Sequence, residues 1–138
     1  MICAIRIHGM VKLNKKIAET LYRLRLRRKY SCIVLNPTEE QMGAIKKLRD
    51  FVAFGEINKS TLEKLIEKRG KLTDKSKKID AKKMAEELIN GKSYWALDLK
   101  PFFRLHPPRG GIKSKIHFPK GILGDNKKKI NELVMRML

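Results

Sequence analysis

The sequence predicts an α+β fold: a three-stranded sheet in β-α-β-α-β order with helices on one face, followed by a helical and irregular C-terminal extension. Three observations predict it. Short apolar runs recur at residues 2–8, 31–35 and 51–57. Segments with helical apolar spacing and capping residues lie between and after them. A chain of 138 residues with 42% hydrophobic content can also bury one core without disulfides.

The elements follow in order. In residues 2–8, Cys3, Ile5 and Ile7 share one strand face while Arg6 and His8 lie on the other. Asn14 is the expected N-cap of a helix running to about Arg28, with Ile17, Leu21 and Leu24 on its inner stripe. Residues 31–35 form a second strand, stopped by Asn36-Pro37. Thr38-Glu39-Glu40-Gln41 reads as a capping box for a helix that turns Met42, Ile45 and Leu48 inward. Phe51 to Ile57 reads as a third strand, with Gly55 as a bulge.

These elements make a core domain over 1–58, and 59–138 form the extension. Ser60-Thr61-Leu62-Glu63 reads as a second capping box, opening a helix that ends at Gly70. Lys71 to Lys78 is polar and reads as a linker. Asp80 caps a further helix, with Ile79 and Met84 as a hydrophobic staple and Gly91 as its stop. Tyr94 to Leu99 is apolar enough to dock on the main body. Residues 100–124 hold four prolines and four glycines and read as an irregular arm. Residues 126–138 form a last helix with Ile130, Leu133, Val134 and Met137 on one stripe.

Charge points to the partner. Thirty-three Lys and Arg face fourteen Asp and Glu, a net of +19. A cationic protein gains free energy on a phosphate polymer by releasing condensed counterions. The charge is uneven: residues 1–37 and 99–138 each carry +8, while 38–70 carry +1 and 71–98 carry +2. Two contact surfaces are therefore expected. The first is the basic helix with Lys12, Lys15, Lys16, Arg23, Arg27 and Arg28. The second is the arm, with six Lys or Arg and no acid between Lys100 and Lys120. There, Lys100, Arg104, Arg109, Lys113, Lys115 and Lys120 would meet phosphates. His106 and His117 would donate to phosphate or 2′-OH. Gly110 and Gly111 would let the main chain approach closely. Phe102, Phe103, Tyr94 and Trp95 read individually as core rather than stacking platforms.

Enzyme chemistry finds little support. His106 and His117 lack a nearby carboxylate in sequence to orient either ring, which weighs against an acid–base pair in a small nuclease. No Walker-type loop, dinucleotide fingerprint, HExxH or GxSxG occurs. Cys3 and Cys32 have no metal-type spacing and read as buried thiols in neighbouring strands, as suits a reducing cytoplasm. No metal or other cofactor is expected. No signal peptide is expected either, and no apolar run approaches the roughly 20 residues of a bilayer span.

The extension resembles a known family. Thr61 to Gly70, then Pro108-Arg109-Gly110-Gly111-Ile112-Lys113, His117-Phe118, Gly121, Gly124 and Asn126, and the terminal stretch Ile130 to Met137, are similar to archaeal and eukaryotic large-subunit ribosomal proteins of the L-thirty family (L-seven in eukaryotes). Length and extension look archaeal. The resemblance implies a cytoplasmic, non-catalytic ribosomal component that binds and stabilises large-subunit ribosomal RNA, near the 5S RNA and beside neighbouring ribosomal proteins. It implies no membrane and no small-molecule substrate. By analogy, Arg109, Gly110, Gly111, Lys113 and His117 would lie against RNA. A free-standing RNA-binding or ribonucleoprotein chaperone would use the same surfaces.

Overall fold

The computed structural model describes residues 1–112 and 114–138. The element order is β1 (Ile2–Arg6), α1 (Lys15–Arg23), β2 (Ser31–Leu35), α2 (Glu39–Lys47), β3 (Val52–Glu56), α3 (Lys59–Arg69), α4 (Ala81–Ile89), β4 (Phe103–Arg104), β5 (Gly124–Asp125) and α5 (Ile130–Met137). A 3-10 turn, Lys127–Lys129, leads into α5.

The sheet is larger than the sequence predicts. It has five strands in the order β4-β2-β1-β3-β5, not three. The three central strands are the predicted ones, and β1 runs antiparallel to both β2 and β3. The extension supplies both edges: β4 pairs antiparallel with β2, and β5 pairs parallel with β3. Two-residue strands carry no periodicity of their own, so nothing local announces them.

Helices cover both faces, not one. Ile2, Ala4, Ile33, Val52 and Phe54 pack with Leu21 of α1 and Ile45 of α2. Cys3, Ile5, Cys32, Val34 and Ala53 point the other way, into a cluster built from α3, α4 and α5. Strands apolar on both faces must be covered twice, and the last three helices provide the second layer. The predicted α5 stripe of Ile130, Leu133, Val134 and Met137 is buried there.

Local signals fare unevenly. Asn14 Oδ1 accepts from the Lys16 amide, Thr38 Oγ1 from Gln41 and Asp80 Oδ1 from Lys83, as expected of N-caps. The Thr38 capping box is only half made, because Gln41 Oε1 is buried without a partner. The second box is absent: Ser60 and Thr61 lie inside α3, whose N-cap is Asn58. The Asn58 amide instead donates to Asn131 Oδ1 of α5 at 2.8 Å.

Gly55 forms no bulge; the β1–β3 register is unbroken through Cys3↔Gly55. Its glycine is needed for another reason. A Cβ there would come within 2.2 Å of the Lys127 carbonyl, so the chain entering α5 crosses directly over it. Residues 71–78 are not a free linker either, since Leu72 bridges Leu99. Tyr94 docks as expected, its hydroxyl donating to the Val34 carbonyl at 2.6 Å, and burial raises its pKa. Trp95 does not, and stands 75% exposed. Cys3 and Cys32 are buried free thiols with Sγ atoms 3.3 Å apart. Their hydrogen bond, with burial, holds the Cys32 thiol well above its ordinary pKa.

Candidate nucleic-acid interface

The basic N-terminal region is a helix followed by a strained loop. α1 stops at Arg23, five residues before the predicted end at Arg28. Leu24 caps it, Arg25 turns with φ +62°, and Leu26 drops into the core. Lys12, Lys15, Lys16 and Arg23 are exposed, and Arg23 is paired with Glu19 at 2.7 Å. Arg27 and Arg28 are exposed on the loop rather than on a helical face. Tyr30, with φ +65°, returns the chain to β2. Two non-glycine residues in the left-handed region within six positions mark a backbone that its surroundings hold in place.

The holding group is Arg6, which sequence reasoning assigned only to an outward face. Its side chain is buried at 2% exposure with no carboxylate against it. A guanidinium has five N–H donors, and five acceptors meet them. Nε donates to the His8 carbonyl at 2.9 Å. The two terminal nitrogens reach the carbonyls of Leu26, Arg27 and Gly9 at 2.8, 3.0 and 3.1 Å, and Met10 Sδ at 3.3 Å. The Arg6 carbonyl in turn accepts from the Tyr30 amide at 2.7 Å. Burial lowers its pKa from the ordinary value, and such a charge is tolerable inside only when fully hydrogen-bonded. Arg6 thus ties the loop after β1 to the loop after α1.

The arm begins beside that loop. Cys32 pairs with Phe103 and Ser31 with Arg104. Phe103 is fully buried, which contributes roughly 2–3 kcal/mol of apolar transfer and pins the arm to the sheet. Alternation then turns Phe102 and Arg104 to the α1 face, beside Ser31. The two basic stretches, separate in sequence, meet here. Arg25, Arg27, Arg28, Ser31, Phe102 and Arg104 line one cleft of about 180 Å³. Arg27 lies over the Tyr22 ring at 4.3 Å and Arg104 over Phe102 at 5.7 Å. Among the described residues, no carboxylate lines the cleft.

Further along, the arm straps the end of α5. The His106 amide donates to the Met137 carbonyl and the Arg109 amide to that of Arg136. Arg136 returns hydrogen bonds to the carbonyls of Arg109 and Gly111. The His106 ring nitrogens face the backbone oxygens of Pro107 and Leu138, and a neutral imidazole donates to one of them. Arg109, Gly110 and Gly111 are exposed. Gly110 and Gly111 have φ +80° and +73°, so backbone conformation calls for glycine here. The Gly111 amide donates within its own turn to Pro108. Lys100, Lys115 and Lys120 are exposed, and Lys113 lies outside the described residues.

His117 corrects the sequence reading most directly. Its Nε2 lies 2.7 Å from Asp50 Oδ1, a carboxylate 67 residues away. Both side chains are exposed, and the contact hooks the turn at 117–123 onto the α2–β3 connection. Sequence reasoning also missed Arg25, Arg136 and the exposed run Lys127–Lys129. That run was legible: three cations at the start of a helix oppose its macrodipole and call for an anion from outside.

Fold and surface together define a class: a small, basic α+β scaffold whose cations converge on a carboxylate-free cleft and a glycine-rich arm. Among the described residues, no group of His, Cys, Asp and Glu could hold a metal ion, and no helix is long and apolar enough to cross a membrane. Comparison with known proteins supplies the family. Residues 3–52 match the model of the family described as Ribosomal protein L30p/L7e. Over 99% of both chains, the protein is 40% identical to the large ribosomal subunit protein uL30 of Archaeoglobus fulgidus. It is 36% identical to uL30 of Methanococcus maripaludis over 97% of each chain. It is 34% identical to uL30 of Caldivirga maquilingensis over 100% of this chain and 91% of that one. The chain belongs to the L30p/L7e family of large-subunit ribosomal proteins, a structural and non-enzymatic family. His106 and His117 are therefore read as structural ties rather than an acid–base pair.

Proposed function

We propose that this structural component of the large ribosomal subunit binds large-subunit ribosomal RNA and stabilises its fold, with the arm reaching toward the 5S RNA. The cleft of Arg25, Arg27, Arg28 and Arg104 carries the reading. Four guanidiniums gathered without a carboxylate repel one another until a polyanion neutralises them. In this reading residues 1–58 supply contacts through Lys12, Lys15, Lys16, Arg23, Arg27 and Arg28, on α1 and the loops at its two ends. The extension 59–138 adds Lys100, Arg104, Arg109, Gly110, Gly111, Lys113, Lys115, His117 and Lys120. His106 contributes by fixing the arm. Neighbouring ribosomal proteins complete the surroundings in the cytoplasmic ribosome.

The test is binding of the purified protein to large-subunit ribosomal RNA across a salt series. With about six phosphates neutralised, log K against log salt has a slope of ~−4 to −5; a slope near zero contradicts the reading. Sedimentation separates a resident component from a transient chaperone, because a resident stays with the large subunit through a moderate salt wash.

A further inference from the structure

The cleft has features that a contact for duplex phosphates does not need. It is small, about 180 Å³. A paired helix cannot enter, whereas a single planar base and its phosphate can. Its walls are fixed. Arg104 sits opposite Ser31 in the strand pair. The facing loop is bent at Arg25 and Tyr30 and clamped by Arg6, which donates to the Leu26 and Arg27 carbonyls. Two of its four guanidiniums are backed by rings, Arg27 by Tyr22 and Arg104 by Phe102. A guanidinium is a flat cationic surface on which an unstacked RNA base can lie.

We propose that the cleft between the α1–β2 loop and β4 receives one unstacked nucleotide, its base on the open face of Arg104 and its phosphate between the forks of Arg25 and Arg28. The proposal rests on the RNA-binding reading and adds a preference to it: unpaired or bulged RNA over a continuous helix at this position. Stacking is tolerant of base identity, because every base has a π-face. Selection is therefore for an extruded nucleotide rather than for a sequence.

The test compares two RNA hairpins with the same stem, one fully paired and one carrying a single bulged 2-aminopurine, against the full-length protein. The bulged hairpin binds about tenfold tighter, the gain of about one stacked base. Arg104→Lys keeps the charge and removes the plane. It brings the ratio of bulged to paired affinity close to one, while the retained charge keeps the salt slope. Phe102→Leu, which removes the backing ring, lowers the ratio by a smaller factor. Equal binding of both hairpins by the wild type, or a ratio that survives Arg104→Lys, overturns the proposal and leaves the RNA-binding reading standing. No binding of either hairpin at low salt overturns both.

Discussion

The α3–α4 region and the α1–β2 loop are both rich in lysine and arginine, yet they dispose of the charge differently. Around α3 and α4 three of the cations have an acid at hand: Lys59 meets Glu86 at 2.8 Å, Lys92 meets Glu87 at 3.3 Å and Lys77 meets Asp98. These pairs are exposed and individually worth little stability; what they do is cancel. Arg23, at the end of α1, pairs with Glu19, but beyond it Arg25, Arg27 and Arg28 have no ion pair among the described residues and turn with Arg104 into a shared cleft. The scaffolding differs as well. Helices α3 and α4 and the turns beside them display the paired charges, whereas a left-handed turn and a buried arginine hold the gathered ones. Cation count therefore does not separate the two regions; what supports the interface reading is the gathering of guanidiniums into one cleft without a carboxylate among the described residues.

That contrast can be broken at several points. The largest expected effect is at Arg6. Arg6→Met strands the carbonyls that it satisfies and lowers the free energy of unfolding in urea by about 3 kcal/mol. RNA affinity falls in the same variant, because the loop loses its shape. An unchanged urea midpoint would mean that Arg6 is no clamp.

Next, replacing Arg27, Arg28 and Arg104 together by Ala leaves the fold intact, since all three are exposed. It weakens binding to large-subunit ribosomal RNA about 100-fold at physiological salt and makes the salt slope shallower by about 2–3. The matching triple of Lys59, Lys77 and Lys92 to Ala alters affinity by less than about threefold. Equal losses in the two triples would erase the distinction between paired and gathered charge.

Gly110→Ala is smaller. At φ +80° a Cβ costs about 1 kcal/mol. Hydrogen exchange at the Arg109 amide, held by the Arg136 carbonyl, accelerates about fivefold. The smallest effect is at His117. His117→Ala removes the exposed tie to Asp50 and shifts the melting temperature by less than about 2 °C. A large drop would make that tie part of the core.

Much of this fold was legible because its signals are local. The central strands, the caps at Asn14, Thr38 and Asp80 and the stripe of α5 need only neighbouring residues to declare themselves. What was hidden is non-local. β4 and β5 exist only because β2 and β3 offer free edges, and the Asp50–His117 pair spans 67 residues. Coverage of both sheet faces was visible in principle. Ile2 to Ile5 and Cys32 to Leu35 are continuous apolar runs rather than alternating ones, and such strands are buried twice. The end of α1 was misread because Arg27 keeps helical spacing while Leu26, one residue earlier, leaves the helix for the core. The basic residues at both chain ends were legible as candidates. Their convergence was not, because it depends on Phe103 docking beside Cys32.

The most direct measurement is the structure of this chain in its assembled large subunit, read at the guanidiniums of Arg25, Arg28 and Arg104. The account places a phosphate within ~3 Å of the Arg25 and Arg28 forks and a base on the plane of Arg104. A cleft open to water, or filled by a neighbouring protein's carboxylates, would contradict it.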